Sequence, residues 1–184
     1  MEEFGSKLSQ KMSALTSGRG VEDGIDVGPL VEAKQRDKVA ELVDDAVGKG
    51  ATVLTGGSVP GGEGYYYPPT VLTQVPDSAR LRTEEIFGPV APIFTFTDED
   101  EAIQMANDTE FGLVAYAFTR DYSRAIRVYE ALDTGMVGIN QGIVSNPAAP
   151  FGGMKQSGSG REGSHHGVEE YLEMKYMLMG GLAK

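Results

Sequence analysis

The segment Thr83–Pro92, which reads Thr-Glu-Glu-Ile-Phe-Gly-Pro-Val-Ala-Pro, carries the residue types best suited to chemistry in this chain. The apolar run 90–96 predicts a strand. Because side chains alternate along an extended segment, we expect Glu85 and Phe87 to lie on the same side, at the mouth of a sheet. A carboxylate accepts two hydrogen bonds from a vicinal diol such as a ribose. The pattern therefore indicates a ligand site, although two solvated glutamates before a buried phenylalanine would read the same way.

Two other patterns have a chemical interpretation that the residues themselves do not support. The segment 157–164, Ser-Gly-Ser-Gly-Arg-Glu-Gly-Ser, is rich in glycine like a phosphate loop, but it lacks the Gly-Lys-Ser/Thr ending and a preceding strand. His165 and His166 suggest metal ligands, yet adjacent side chains are expected to diverge and no other cluster supports them. We therefore predict no metal site and place both histidines at the surface.

Amphipathic helices are among the elements that must position the candidate residues. Residues 39–47 carry apolar side chains at i, i+3, i+4, i+7 and i+8, which predicts a helix ended by the following glycines. The acidic run after Thr97 predicts a second helix, capped by Thr97 and ending near Asn107. The apolar pattern of 125–132 predicts a third helix, capped by Asp121.

Strands are predicted between these helices. The continuous apolar runs 113–118 and 136–140 are typical of strands covered on both faces. The alternation of helices with buried strands predicts an α/β fold with a largely parallel sheet flanked by helices. Residues 172–178 alternate apolar and polar side chains, which predicts a strand that needs a partner along its edge. We divide the chain into residues 1–170 and a C-terminal strand with its tail, residues 171–184.

Composition restricts the class of protein. The chain has 184 residues, enough for one domain, and carries 27 acidic against 16 basic residues. Nucleic-acid binding needs clustered positive charge, and no apolar run reaches the roughly 18 residues of a membrane helix, so we expect neither kind of partner. The N-terminus shows no secretory signal, and a cytoplasmic protein is the expectation. The absence of cysteine excludes disulfides and any thiol nucleophile from these residues.

Four stretches, taken together, resemble the aldehyde dehydrogenase superfamily over roughly residues 26–181. They are Gly28-Pro-Leu30, Glu84-Glu-Ile-Phe-Gly-Pro-Val90, Gly135-Met-Val-Gly-Ile-Asn140 and Pro150-Phe-Gly-Gly-Met-Lys-Gln-Ser-Gly158. The region 139–181 is most similar to succinate-semialdehyde dehydrogenases. The family's catalytic cysteine lies upstream of the matched region, so the resemblance implies the C-terminal part of a catalytic domain of a longer enzyme. We expect the isolated chain to be inactive.

The resemblance implies roles for five residues. Glu85 would bond the nicotinamide ribose of NAD or NADP, and Phe87 would bound the nicotinamide pocket. Ser145 would contact the far carboxylate of the substrate, although a lone serine in a loop usually caps a turn. Phe151 would form a wall of the aldehyde tunnel, or else be an ordinary core residue. Glu162 would relay protons as a catalytic residue, or form a structural ion pair with a base such as Arg161.

The implied reaction is the oxidation of a small aldehyde, succinate semialdehyde, to succinate through a cysteine thiohemiacetal. Glutarate semialdehyde is an alternative substrate, and a non-catalytic assembly module is an alternative class of protein. In the family, the C-terminal segment joins a sheet between subunits. We therefore expect a homo-oligomer, with residues 172–178 as the oligomerisation strand.

Overall fold

The chain divides into two compact units, an N-terminal unit of Met1–Thr95 and a C-terminal unit of Phe96–Lys184. The structure is a computed structural model and describes residues 2–181. Both units combine helices with strands, which confirms the α/β class predicted from the sequence. Within the described residues, none of the helices has the length and apolar character needed to span a membrane.

The N-terminal unit consists of two helices and one mixed sheet. Its elements are α1 (Glu2–Ser13), α2 (Ala33–Gly48), β1 (Thr52–Thr55), β2 (Thr70–Thr73), a short 3₁₀ helix (Arg80–Arg82) and β3 (Val90–Pro92). The strand order is β1-β2-β3, with β1 antiparallel and β3 parallel to β2. The helix predicted over residues 39–47 is confirmed as the greater part of α2.

The core of this unit forms where α2 packs on β2 and the 3₁₀ helix. Val39, Leu42, Val43 and Ala46 are fully buried and lie at the predicted helical spacing. Tyr67 is also buried, and its hydroxyl has no hydrogen-bond partner within residues 2–181. Burial, aided by the nearby negative charge of Asp44, raises the pKa of Tyr67 to about 12.

The C-terminal unit carries two small sheets. Its elements are α3 (Glu99–Asn107), β4 (Phe111–Gly112), β5 (Val114–Ala117), α4 (Tyr122–Ala131), β6 (Met136–Ile139), β7 (Met154–Lys155) and α5 (His166–Glu169). β5 and β6 are parallel and are connected through α4, the usual crossover between parallel strands. β4 pairs antiparallel with β7. Parallel pairing therefore accounts for part of the sheet structure, while β1-β2 and β4-β7 are antiparallel.

The N-termini of α3 and α4 are fixed by aspartates. The Asp121 side chain accepts a hydrogen bond from the Arg124 amide, as predicted. The prediction of Thr97 as the cap of α3 was wrong by one residue, because the Asp98 carboxylate accepts from the Glu101 amide. Glu101 in turn accepts from the Thr97 amide and hydroxyl, both at 2.7 Å. The Asp98 carboxylate thus satisfies one donor of the first turn, and Glu101 reaches back to the residue before the cap, in a variant of the capping box.

Glu99 joins the two long helices of this unit. Its carboxylate accepts hydrogen bonds from Arg127 at 2.8 and 2.9 Å and from Arg124 at 2.9 Å. These bonds, first those from Arg127 and then those from Arg124, lower the pKa of Glu99 to about 2. The carboxylate in α3 thus stays charged while it binds two residues of α4.

Two predicted strands differ from what the structure shows. The run 90–96 forms a strand only at Val90–Pro92, because β2 offers four residues and the pairing ends with the Ile93 amide bonded to the Leu72 carbonyl at 2.8 Å. Residues 172–181 form no helix or strand within the described part of the chain. Residues 182–184 of the predicted tail lie outside the described residues.

Candidate active-site segments

The candidate cofactor segment, Glu84–Gly88, lies between the 3₁₀ helix and β3 of the N-terminal unit. It is not a strand, so the prediction that strand alternation sets the directions of Glu85 and Phe87 was wrong. Phe87 has a φ of 47°, in the left-handed region that non-glycine residues rarely adopt. Its side chain is 69% exposed, which rules out the alternative of a buried phenylalanine. Both candidate side chains are therefore at the surface of this unit.

Helix α2 holds the main chain of this segment. The Gln35 side-chain amide donates to the Ile86 carbonyl at 2.9 Å and to the Phe87 carbonyl at 3.1 Å. The Lys38 ammonium donates to the Glu85 carbonyl at 2.8 Å. The three consecutive carbonyl groups of the segment are thus bonded by two side chains one helical turn apart.

Gly88 brings the segment into direct contact with α2. A Cβ atom at Gly88 would lie 2.7 Å from a methyl group of Val39, a fully buried residue of the helix. Any larger residue would push the segment off the helix. The glycine of the Phe-Gly-Pro sequence is therefore required by packing as well as by the turn.

The two adjacent carboxylates have different surroundings. Glu84 forms a two-point ion pair with Arg80, with distances of 2.7 and 3.1 Å, and this bond lowers its pKa. The Glu85 side chain is exposed and makes no hydrogen bond or ion pair within the described residues. Glu84 is committed to a structural contact, while the Glu85 carboxylate has its acceptor atoms available for a ligand.

Phe151 and Glu162 are brought together in the C-terminal unit. Their backbones form an antiparallel bridge, with the Phe151 amide donating at 2.8 Å and the Glu162 amide at 2.7 Å. Two residues further along, the Ser164 amide donates to the Pro147 carbonyl at 2.9 Å. The loop that carries Ser145 is thus fastened to the segment that carries Glu162.

Close approaches between glycines fix this bridge. A Cβ atom at Gly135 would overlap the carbonyl oxygen of Gly152, and one at Gly152 would overlap the carbonyl oxygen of Gly160. One at Gly153 would lie 2.6 Å from the Cβ of Ser157. Separate glycine-bearing motifs of the sequence are therefore packed backbone on backbone, which no residue with a side chain allows.

Arg161 ties the same loops together. Its Nη1 lies 2.8, 2.9 and 3.2 Å from the carbonyl oxygens of Gly153, Gly160 and Ser159, and its amide donates to the Glu170 carboxylate at 3.1 Å. The alternative interpretation of Glu162 as the ion-pair partner of Arg161 is not what the structure shows, because the guanidinium bonds main-chain carbonyls. The Glu162 side chain is exposed and makes no hydrogen bond or ion pair within residues 2–181.

Ser145 lies in an exposed loop after β6. The turn in this loop is capped by the neighbouring Asn146, whose side chain accepts from the Ala148 amide at 2.9 Å. Among the described residues the Ser145 hydroxyl makes no hydrogen bond. Asn146, and not Ser145, therefore caps this turn, and the Ser145 hydroxyl is available to bind a ligand.

An open cleft of about 700 Å³ lies beside the Phe151–Glu162 bridge. Its lining includes Leu113, Phe151, Glu162 and Tyr171, together with the glycines of the two loops, while Ser145 is not among the lining residues. Phe151 is 36% exposed, so it is a surface residue of this unit and not part of a buried core. The cleft combines an aromatic ring with an unpaired carboxylate.

The rings of the adjacent histidines lie close together, tilted by 39°, instead of diverging. The ring centroids of His165 and His166 are 3.9 Å apart, so the expected divergence was wrong. The His166 ring lies 3.4 Å from the Glu169 carboxylate. Within the described residues no group of three or more histidine, aspartate or glutamate side chains is arranged to hold a metal ion.

Sequence reasoning missed the residues that position the candidates, namely Gln35, Lys38 and Arg161. Two signals were present. Gln35 and Lys38 are hydrogen-bond donors at i and i+3 beside the apolar stripe of α2. Arg161 follows a Ser-Gly-Ser-Gly run whose carbonyl groups need donors from elsewhere.

Comparisons with known proteins agree with the arrangement of motifs. Residues 1–177 match the aldehyde dehydrogenase family. A glutarate-semialdehyde dehydrogenase of Pseudomonas putida is 53% identical over 176 residues, which are 96% of this chain and 36% of that protein. An NADP(+) succinate-semialdehyde dehydrogenase of Escherichia coli K12 is 52% identical over 97% of this chain and 37% of that protein.

The fold agrees as well. The crystal structure of an NADP dependent enzyme of E. coli superposes with a TM-score of 0.93 at 52% identity, covering 97% of this chain and 37% of that one. The chain thus spans little more than a third of the relatives that it matches. On both sequence and fold, the chain belongs to the aldehyde dehydrogenase family.

Proposed function

We propose that these residues form part of an NAD(P)-dependent dehydrogenase that oxidises succinate semialdehyde to succinate. The observation that carries the proposal is the candidate cofactor segment, in which an unpaired Glu85 carboxylate and an exposed Phe87 ring lie on a main chain bonded to α2. The cysteine that would form the thiohemiacetal is not in this chain. The reaction therefore requires residues beyond those described.

The cofactor segment fits a nicotinamide ribose. The Glu85 carboxylate has acceptor atoms for both hydroxyls of a vicinal diol, and the Phe87 ring offers an apolar face to a flat heterocycle. When bound, NAD or NADP would supply the acceptor for the hydride that leaves the substrate carbon once the thiohemiacetal has formed. The contribution of Glu85 and Phe87 is to hold the ring in place, which is a positioning effect.

The aldehyde is held by the C-terminal unit in this proposal. Both relatives named above act on aldehydes that end in a carboxylate. The free hydroxyl of Ser145 would donate to that carboxylate, and Phe151 would face the carbon chain. Glu162, with its exposed and unpaired carboxylate in the cleft, would accept and release protons as the acid product forms.

Assembly belongs to the same proposal. Residues 172–178 would add a strand to another subunit, since the side chains of Leu172, Met174 and Tyr176 are exposed in the single chain. Glutarate semialdehyde is a second candidate substrate, favoured by the Pseudomonas putida relative. A purely structural module for assembly remains the alternative class of function.

The direct test uses an enzyme in which residues 1–184 are joined to an upstream region containing the cysteine. Such an enzyme should reduce NAD or NADP with succinate semialdehyde, while the chain alone should not. Glu85→Ala should raise the KM for the cofactor about tenfold, because the hydrogen bonds to the ribose are lost. Reduction of the cofactor by the chain alone, or an unchanged KM for Glu85→Ala, would contradict the proposal.

A further inference from the structure

We propose that Asp23 is a modification site, at which aspartate is converted to isoaspartate through a succinimide formed with Gly24. The pair lies in the loop between α1 and α2, outside the segments that carry the candidate cofactor and substrate residues. In the whole sequence, Asp23 is the single aspartate or asparagine that glycine follows. A glycine leaves the approach to its own amide nitrogen open, because it has no side chain. The modification does not depend on the proposed dehydrogenase function.

The reaction needs only the two residues and water. The Gly24 nitrogen bonds to Cγ of the protonated Asp23 carboxyl, the bond between Cγ and the hydroxyl oxygen breaks, and the hydroxyl leaves with the amide proton as water. Water then adds to one carbonyl of the succinimide ring. Addition at Cγ restores aspartate, whereas addition at the main-chain carbonyl carbon leaves the chain linked through Cγ, which is isoaspartate. The water taken up balances the water released, and no oxidant or reductant takes part.

Both reacting groups are free within the described residues. The Asp23 side chain is exposed and forms no hydrogen bond or ion pair there, and the Gly24 amide donates to no acceptor there. Gly24 has a φ of 77°, and a Cβ atom at this position would meet no atom within 4 Å. Since nothing packs against this turn, the main chain can rotate to bring the amide nitrogen to the carboxyl carbon.

Asp26, in the same loop, has the opposite surroundings. Its carboxylate accepts a hydrogen bond from the Thr16 amide at 2.9 Å. The amide that follows it, that of Val27, donates to the Thr16 carbonyl at 3.1 Å. The two groups that a succinimide requires are therefore both bonded at Asp26 and both free at Asp23. The structure thus predicts a selective reaction at Asp23 and not a general decay of the aspartates in this loop.

The base of the loop should survive the modification. It is closed by the bonds of Thr16 to Asp26 and Val27, by the Gly18 amide donating to the Val27 carbonyl at 3.0 Å, and by the bridge between Ser17 and Val27. Isoaspartate adds one methylene group to the main chain beyond these bonds, in the exposed part of the loop. Since exposed loop tips tolerate insertions, we expect the modified chain to keep its fold.

Ageing of the purified chain at mildly acid pH tests the site. Trypsin cleaves after Arg19 and Lys34, so Asp23 and Asp26 are recovered together in the peptide 20–34. A second form of this peptide, with the same mass and a different retention time, should accumulate, and fragmentation should place its isoaspartate at residue 23. A methyltransferase specific for isoaspartyl carboxylates should label the aged chain and not the fresh one. Asp23→Glu should abolish both signals, because the same attack would require a larger ring.

Val27→Gly separates the structural argument from the sequence pair. This variant gives Asp26 a following glycine, while the main-chain bonds to Thr16 are retained. In the folded variant, residue 26 should isomerise about tenfold more slowly than Asp23 or slower still, because its hydrogen bonds must open first. In urea the two positions should react at similar rates. The proposal is wrong if Asp23 does not isomerise in the folded chain, or if Asp26 reacts as fast as Asp23 in the folded variant.

Discussion

At the scale of single residues, side chains with unused hydrogen-bonding capacity distinguish candidate ligands from structural groups. Glu84 is bonded to Arg80, whereas Glu85 is unpaired, although the two are adjacent in the sequence. Asn146 caps its turn, whereas Ser145 does not. In both pairs the sequence does not show which residue is structural. The hydrogen bonds in the structure show it, because one residue of each pair is bonded and its neighbour is not.

The role of Ser145 can be tested by the identity of the aldehyde. In the completed enzyme, Ser145→Ala should weaken the use of succinate semialdehyde more than that of an uncharged aldehyde of similar length. A lost hydrogen bond to a charged group costs about 1.5–3 kcal/mol, or roughly tenfold or more in kcat/KM. Equal losses for the two aldehydes would remove Ser145 from the substrate site.

At the scale of elements, much of the secondary structure follows from local patterns, and the candidate site does not. The apolar spacing of α2 and the cap at Asp121 are local signals, and both predictions are confirmed. Phe87 has a left-handed φ, and its carbonyl accepts a hydrogen bond from Gln35, which is 52 residues away in sequence. Similarly, the contacts of Arg161 and Gly152 join loops whose approach no local pattern reveals. The candidate residues could be named from motifs, but their directions are set by tertiary contacts.

The contact between glycine motifs can be tested by adding one methyl group. Gly135→Ala would place a Cβ against the Gly152 carbonyl and should lower the free energy of unfolding by about 1–3 kcal/mol. Gly142→Ala is the matched control, because its Cβ would meet no atom within 4 Å, and it should change stability by no more than about 0.5 kcal/mol. Urea unfolding of the chain measures both, and equal effects would contradict the close packing.

The ion pairs of Glu99 in α3 with the arginines of α4 predict that the stability of the chain falls at low pH. The folded-state pKa of Glu99 is about 2, below its ordinary 4.5, so the folded state resists protonation of this group. Its contribution to stability should be complete above pH 4.5 and should be lost as the pH falls from about 4.5 to about 2. Above pH 4.5, Glu99→Gln should therefore have a lower free energy of unfolding than the unmodified chain. The difference between the two should shrink as the pH falls from about 4.5 to about 2. Glu130→Gln, at an exposed residue of α4 with no bond within the described residues, should show no such narrowing.

At the scale of the whole molecule, apolar surface is unevenly covered. All the buried core side chains of the described residues belong to the N-terminal unit, between Val39 and Leu81. The C-terminal unit exposes large apolar side chains on α4 and along the tail, including Tyr122, Tyr129 and Leu172. In the proposed enzyme, we expect other segments or other subunits to cover these surfaces.

The C-terminal tail can be used to test whether another subunit covers the exposed apolar surface. We expect the chain to sediment as a dimer, and a version ending at Glu170 to sediment as a monomer, because the exposed apolar side chains of segment 172–178 would be covered if the segment paired as a strand with another chain. Hydrogen exchange should show protection of the tail only in the dimer. A monomeric chain whose tail is nevertheless protected from exchange would show that the segment pairs within its own subunit.

The distribution of buried side chains also determines how the chain should lose its structure. Cooperativity comes from shared burial, and within the described residues the only buried residues of the C-terminal unit are glycines, namely Gly112, Gly138 and Gly153. Heating should therefore give two calorimetric transitions, with the C-terminal unit melting first. Limited proteolysis should digest residues after Thr95 while a fragment containing α2 and its sheet survives. A single transition with equal cleavage in both units would show that the two melt as one.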